Sequence, residues 1–288
     1  MKDFKPGHSP EATSGIDKAA ADAGIVIPNA VAEMSYAALA WEVAKQIGGT
    51  LRGDLLNSGI SLPTNMMEPL TILQRGMEIF EYAKCLEKAS KCKSSINRMA
   101  FVAGFSCSPF ANSPDRFKTN FNPILGETFE YIDTRFKSPV KCFAEQVSHH
   151  PPMAAMHAYN KNWVFSQQYG ATTDFMVNQL EIKTDAQTHI RFPKTNDHFY
   201  ALNPRARVHN VVVGTMWLEH HGEIDITNMT TGERCVVEFP KAGFFADGPD
   251  TKISGHIFDK DGKKLVRLQG RWDDHLIGQW LVDTEDKG

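Results

Sequence analysis

The chain has 288 residues, 42% of them hydrophobic and 23% charged, and a formal net charge of −3. That length and apolar content suit one large domain, and the slight acidity argues against the broad basic face of nucleic-acid binders, so a polyanion must be met locally. Five scattered cysteines, Cys85, Cys92, Cys107, Cys142 and Cys235, suggest neither a disulfide framework nor a Cys-x-x-Cys metal knuckle and fit a reducing cytosol.

In chain order, residues 1–33 read as a weakly ordered tail, with Pro6, Gly7, Pro10, Ser14 and an Ala-rich stretch. Next, Tyr36, Leu39, Ala40, Val43 and Ile47 recur at helical spacing and make one apolar stripe, which Gly48-Gly49 ends. From Met67 to about Ser108 the pattern stays helical, with Leu70, Leu73, Met77, Phe80, Met99, Val102 and Phe105 as core candidates. Within this stretch Lys84, Lys88 and Lys91 fall at i, i+4 and i+7 on one side of a helix. That side is either an ordinary solvated face or a surface that docks on an anionic membrane.

After Pro123 the texture changes to short apolar or alternating runs parted by turn residues, which predicts an antiparallel meander. His221-Gly222, Thr231-Gly232 and Asp261-Gly262 are the predicted turns, and His220-His221 therefore reads as plain surface. Asn210 to Leu218 reads as one strand that is largely apolar on both faces and so needs cover on both sides. Periodicity alone admits a dry core or an enclosed apolar ligand as that cover. No apolar run approaches the roughly 18 residues of a spanning helix, so membrane contact is expected to be peripheral.

The most informative segment is Glu145-Gln146-Val147-Ser148-His149-His150-Pro151-Pro152. Neighbouring side chains on a regular strand point to opposite faces, so His149 and His150 reach one ligand only if the chain bends there, and Pro-Pro is a plausible cause of the bend. Two imidazoles near a phosphate are favoured in their charged, doubly donating form. Zinc would want other spacings and usually a cysteine or carboxylate partner, which the segment lacks.

This segment resembles the fingerprint of the oxysterol-binding-protein-related lipid-transfer family. Glu68-Pro69-Leu70, Leu73-Gln74-Arg75, Arg98 to Ala103, Asn122-Pro123-Ile124-Leu125-Gly126-Glu127-Thr128, Val208 to Gly214, Gly222 to Ile226 and Gly270-Arg271-Trp272-Asp273 are similar to that family's ligand-binding domain, in the same order. The resemblance runs from about Tyr36 to Trp272. It implies a mainly β fold with N-terminal helices: an antiparallel, incomplete β-barrel enclosing a lipid tunnel, capped by an N-terminal helical lid. The expected division is a tail over 1–33 and one lipid-binding domain over 34–288, with a lid region 34–62, a helical region 63–110, a barrel 111–278 and a short tail 279–288. Tyr36, Leu39, Ala40, Val43 and Ile47 then belong to the lid and tunnel.

By the same resemblance, His149, His150 and Asn122 bind a phosphoinositide head group. The family lysine falls at Thr119, with Lys118 one place earlier and Asn120 where the family has proline, so Lys118 and Thr119 are both candidates for that role. The family's C-terminal helical part, which supplies further phosphate contacts, has no counterpart in Asp274 to Gly288. The implied function is non-enzymatic: extraction of phosphatidylinositol 4-phosphate, with a sterol or another lipid as exchange cargo, and carriage between cytosolic membrane faces. No cofactor, metal or nucleic acid is expected, and the contact with anionic membranes is peripheral. A sensor or tether without net transport, and a histidine-dependent phosphohydrolase, are the competing classes.

Overall fold

The computed structural model describes residues 52–53 and 67–281, apart from 115, 117, 177, 212, 244 and 245. The expected tail and the lid residues Tyr36, Leu39, Ala40, Val43 and Ile47 lie outside the described residues. Strand β1 (Arg52–Gly53) is followed by β2 (Met67–Thr71), α1 (Ile72–Met77), a 3-10 turn (Glu78–Tyr82), α2 (Lys84–Ala89), α3 (Ser95–Cys107) and a second 3-10 turn (Ser108–Asn112). The helical stretch thus begins later than the sequence pattern suggests. Pro69 disfavours helix at Glu68, and Thr71 starts α1 with a capping box in which its hydroxyl accepts from Gln74 N and its own N–H donates to the Gln74 side chain. Met67–Thr71 instead pairs in parallel with β3 (Thr119–Phe121).

The rest of the chain is an antiparallel meander: β4 (Thr128–Asp133), β5 (Val140–His149), β6 (Pro152–Tyr159), β7 (Val164–Met176), β8 (Gln179–Phe192), β9 (Asp197–Leu202), β10 (Arg205–His209), β11 (Trp217–Asn228), β12 (Arg234–Phe239), β13 (Lys252–Phe258), β14 (Lys264–Arg271) and β15 (His275–Trp280). Neighbours follow chain order, except that β9 and β10 succeed one another in the single gap between β8 and β11, and β1 adds to β7. Among the described residues the edge strands β4 and β15 do not join, so the barrel is incomplete. Helix α1 packs on β4 to β6 and α3 on β11 to β13, so both halves of the sheet close over one helical layer.

That layer supplies the core. Leu73, Phe80, Met99, Val102 and Phe105 are fully buried, whereas Leu70 is only partly so. Phe80 stacks on Trp163 with ring centroids 6.1 Å apart and meets Phe165 edge-on at 5.0 Å. Such aromatic pairs add about 0.5–1.5 kcal/mol each beyond their burial. Glu87 on α2 accepts from Trp163 Nε1 at 2.9 Å, which fixes the helix against the β6–β7 turn. Lys84, Lys88 and Lys91 are all exposed, although α2 ends at Ala89 and Lys91 sits in the turn after it.

Two other expectations are corrected. Asn210 to Leu218 is not one strand, because Asn210 takes φ 58° and Gly214 φ 106°, and Asn210 Nδ2 closes on Thr215 O at 2.9 Å. This makes a loop between β10 and β11 in which Val213 is 72% exposed. The second correction concerns His221-Gly222, which is no turn: β11 runs through it, and Gly222 with φ 101° marks the point where pairing passes from β10 to β12. A glycine there supplies a bend within the strand rather than a reversal. His220 and His221 are consequently buried. The predicted turns at Thr231-Gly232 and Asp261-Gly262 do reverse the chain.

His220 packs against Phe110 at 4.6 Å and Trp272 at 5.1 Å, with its Nε2 2.7 Å from the Ser113 hydroxyl. Burial, with His221 alongside, pushes its pKa from 6.5 down to about 3. Folding therefore selects the neutral ring: this contribution is complete above the unfolded value near 6.5 and is lost as pH falls towards 3. Each pH unit in that window removes up to about 1.4 kcal/mol. Urea unfolding of wild type should show this slope, and His220→Phe should flatten it by close to one proton.

Candidate functional site

Strand β5 buries Val140, Cys142, Ala144 and Gln146 and exposes Lys141, Phe143 and Val147, an alternation set by the pleat. Strand β6 buries Ala154, Met156 and Ala158 opposite it. Strict alternation would turn His149 outward. The register, however, pairs Gln146 with Ala154, Ser148 with Met153 and His149 with Pro152, so β5 carries one extra residue at Val147. Directly paired residues share a face, and Pro152 lies on the face of Ala154. The bulge therefore brings His149 to the inward face with Gln146.

The prolines were expected to make the bend. The hairpin turn does fall at His150–Pro151, a cis peptide, and the bulge just before it changes the phase. The two imidazoles end with ring centroids 4.8 Å apart, His149 half-buried and His150 exposed. His149 Nδ1 is buried and has no hydrogen-bond partner among the described residues.

Asn122 approaches from the opposite side of β5. Ile124 to Glu127 form a turn closed by Glu127 N to Ile124 O at 3.0 Å, with Gly126 at φ 79° in the position of a type II turn that favours glycine. The Glu127 carboxylate accepts from Ile124 N at 3.1 Å. Backbone bonds from Gly126 N to Gln146 O and from Gln146 N to Glu127 O, 2.9 and 3.0 Å, fasten this turn to β5 just before the bulge. Gln146 Nε2 then donates to Ser148 O at 2.9 Å and makes a long contact of 3.5 Å with Asn122 Oδ1. One buried amide thus links Asn122 to the strand that carries the histidines.

The segment before Asn122 is held by charge. Arg116 pairs with Glu68 and, at 2.8 Å, with Glu78, which also takes Arg75. Desolvation raises the Glu78 carboxyl above its ordinary value despite the opposing pull of Arg75. The sequence motifs containing Glu68, Gln74 and Arg75 are thereby accounted for as scaffold.

Lys118 is exposed just ahead of β3, and Thr119 opens that strand paired with Met67. Among the described residues, no hydrogen bond or ion pair joins either one to Asn122, His149 or His150. Asn120 Nδ2 and Gln146 Oε1 are, like His149 Nδ1, buried without a partner among the described residues. Buried polar atoms are satisfied in the great majority of cases, and unpaired side-chain atoms of this kind also occur elsewhere in the fold, on Arg98 and His220 for example. The chemistry available is donation and acceptance of hydrogen bonds. Burial raises the Cys142 thiol to about 11 and Cys107 to about 12, so neither is a thiolate nucleophile at neutral pH.

Sequence reading gave no role to Gln146, Asn120 or Arg116. Gln146 was legible in principle, since a long polar residue at an inward position of an alternating strand needs partners. Replacing it by Leu should remove the tie and leave Ser148 O unpaired, costing about 1–3 kcal/mol. The urea midpoint measures this, and an unchanged midpoint would show the amide to be dispensable.

The family model described as Oxysterol-binding protein matches residues 41–287. The chain is 38% identical to oxysterol-binding protein 11 of Dictyostelium discoideum over 232 residues, 81% of this chain and 40% of that protein. It is 40% identical to oxysterol-binding protein-related protein 3 of Mus musculus over 221 residues, 76% of this chain and 26% of that protein. The chain therefore spans less than half of these relatives. Among solved structures, the Osh1 ORD domain in complex with cholesterol superposes with TM-score 0.76 at 27% identity, covering 88% of this chain and 58% of that one. The Osh3 ORD of Saccharomyces cerevisiae in complex with PI(4)P superposes with TM-score 0.73 at 25% identity, covering 86% and 66%.

Proposed function

The chain belongs to the oxysterol-binding protein family, and from that membership we propose that it extracts phosphatidylinositol 4-phosphate from a cytosolic membrane face and carries it in a domain spanning 34–288, with 34–62 as lid. His149, His150 and Asn122 take the head group. The observation that carries this reading is the bulge at Val147, which puts His149 on the inward face beside Gln146. A regular strand would leave that ring in solvent. The reading is supported by buried polar atoms on Asn120, Gln146 and His149 that are unpaired among the described residues, and by the Osh3 ORD, which shares the fold and is a complex with PI(4)P.

A soluble carrier is needed because each exposed methylene of a lipid costs about 0.8 kcal/mol in water. A sterol is the exchange cargo suggested by the Osh1 ORD complex with cholesterol. Changing His149 and His150 together to Ala should abolish extraction of phosphatidylinositol 4-phosphate from liposomes while leaving the urea midpoint near that of wild type. Undiminished extraction sinks the assignment. Turnover of the lipid at catalytic protein concentration would replace the carrier reading by a phosphohydrolase.

Lys118 and Thr119 test how the remaining cation is supplied. Lys118→Ala should weaken head-group binding roughly tenfold, the size of one charge-assisted hydrogen bond of about 1.5 kcal/mol. Thr119→Lys should strengthen it by presenting an ammonium one position later. If neither change alters affinity in the liposome assay, β3 contributes no cation to the site.

A further inference from the structure

Strands β8 and β9 form a hairpin whose outer face carries two histidines. Thr188, Ile190 and Phe192 of β8 and Asp197, Phe199 and Ala201 of β9 are buried, so the pleat turns His189 and His198 to the opposite face, away from the inward-facing His149. Their direct cross-strand partners are Tyr200 and Arg191, which places the two imidazoles on a diagonal of one face. His189 Nδ1 stands 2.9 Å from His198 Nε2, and both residues are only partly buried.

The backbone on which they stand is held from both sides. Strand β8 pairs with β7 from Met176 opposite Gln179 to Val164 opposite Arg191, and β9 pairs with β11. Met229 N donates to His198 O at 2.7 Å, and Asp197 is tied to Arg98 and Asn228. Tyr200 flanks His189 with ring centroids 5.1 Å apart. A ligand of this pair therefore has little backbone left to order.

Two nitrogens 2.9 Å apart, each about 2.0–2.1 Å from one metal ion, subtend about 90° at that ion. This is the cis angle of square-planar and octahedral sites, whereas a tetrahedral ion needs nitrogens about 3.3–3.4 Å apart. In the neutral pair one hydrogen lies between the rings; with that hydrogen on the outer nitrogen of its own ring, both facing nitrogens offer lone pairs. Burial, with Arg191 and His189 nearby, holds the His198 pKa below 6.5, so protons compete weakly for it at neutral pH.

We propose that His189 and His198 form a binding site for a divalent transition-metal ion of square-planar or octahedral preference, copper(II) or nickel(II), with water in the remaining positions. Among the described residues no third His, Cys, Asp or Glu completes a metal-binding group, so two imidazoles hold the ion and its other face stays open to solvent. Arg191, on the same face, opposes the cation and lowers the affinity.

The experiment is calorimetric titration of the full chain with nickel(II) chloride at neutral pH, in a His149→Ala, His150→Ala background so that the other histidine pair contributes nothing. One ion per chain should bind. Adding His189→Ala or His198→Ala should weaken binding more than about tenfold, since even partners outside a metal's ligand set are worth about 10–100-fold. His157→Ala, on the same face but bonded to Ser166, should leave it unchanged, and Arg191→Gln should tighten it severalfold. His198→Gln keeps a hydrogen-bonding side chain beside His189, so it should retain the parent's metal-free melting temperature and still lose the ion. A copper(II)-loaded sample should show nitrogen hyperfine splitting from two imidazoles, absent in both single Ala variants. The proposal is overturned by the lack of a one-to-one site, by His189 or His198 variants that bind like their parent, by loss of binding in the His157 variant, or by tighter binding of zinc(II) than of nickel(II).

Discussion

Arg98 is the side chain on which the arrangement of helices and sheet depends. It projects from α3 and is almost wholly buried, and its guanidinium is held by the Asp197 carboxylate at the start of β9 and by the Cys92 carbonyl. Asp197 also accepts from Asn228 Nδ2 at 2.8 Å at the end of β11. A charge taken so far from water is tolerable only when paired and hydrogen-bonded, so the helix has one depth and one rotation at which both terminal nitrogens of Arg98 find these acceptors, its Nε being the one donor left over. Removing one partner of such a pair costs about 3–5 kcal/mol, much of a domain's net stability. Apolar packing of Met99, Val102 and Phe105 supplies the driving force, and the ion pair selects the register.

A second polar row runs across the sheet. Asp174, Glu181, Arg207 and Glu219 are successive cross-strand partners, and Arg207 lies between two carboxylates, 2.5 Å from Glu181 and 3.5 Å from Glu219. His221 and His209 face the same two acids at 3.1 and 3.0 Å. Glu219 also accepts from Ala242 N at 2.9 Å, anchoring the segment between β12 and β13. A one-residue slip would set these groups against the opposite face, so this row fixes the register of β8, β10 and β11 where turn chemistry is weak.

Much of this was legible in the sequence. Helices before an antiparallel sheet, the core positions Leu73, Phe80 and Phe105, and the turns at Thr231-Gly232 and Asp261-Gly262 follow from periodicity and turn residues. Misreadings came where a glycine or asparagine has a role other than the commonest one. Gly222 bends a strand without ending it, and Asn210 with Gly214 opens a loop inside an apolar run. His220 and His221 followed Gly222 into error, because a histidine beside a supposed turn reads as surface. At the site, the motif announced the histidines but not the bulge that orients His149, since a bulge is a property of the pairing between two strands.

The length of β5 bears on how the proposed head-group site would achieve affinity. Fields from exposed charges decay within a Debye length of about 8 Å at physiological salt, whereas the ten residues of β5 separate the two ends by about 30 Å. Charges at the far end of β5 therefore add nothing to the grip on an anion beside His149. On the reading proposed above, capture rests on local groups: the imidazoles, the amides of Asn122, Asn120 and Gln146, and whatever cation Lys118 supplies. Neutral donors discriminate by geometry, because a mismatched partner leaves buried polar atoms unpaired. A site of the proposed kind would tell one head group from another, and its affinity for any single phosphate would depend on the few charges that reach it.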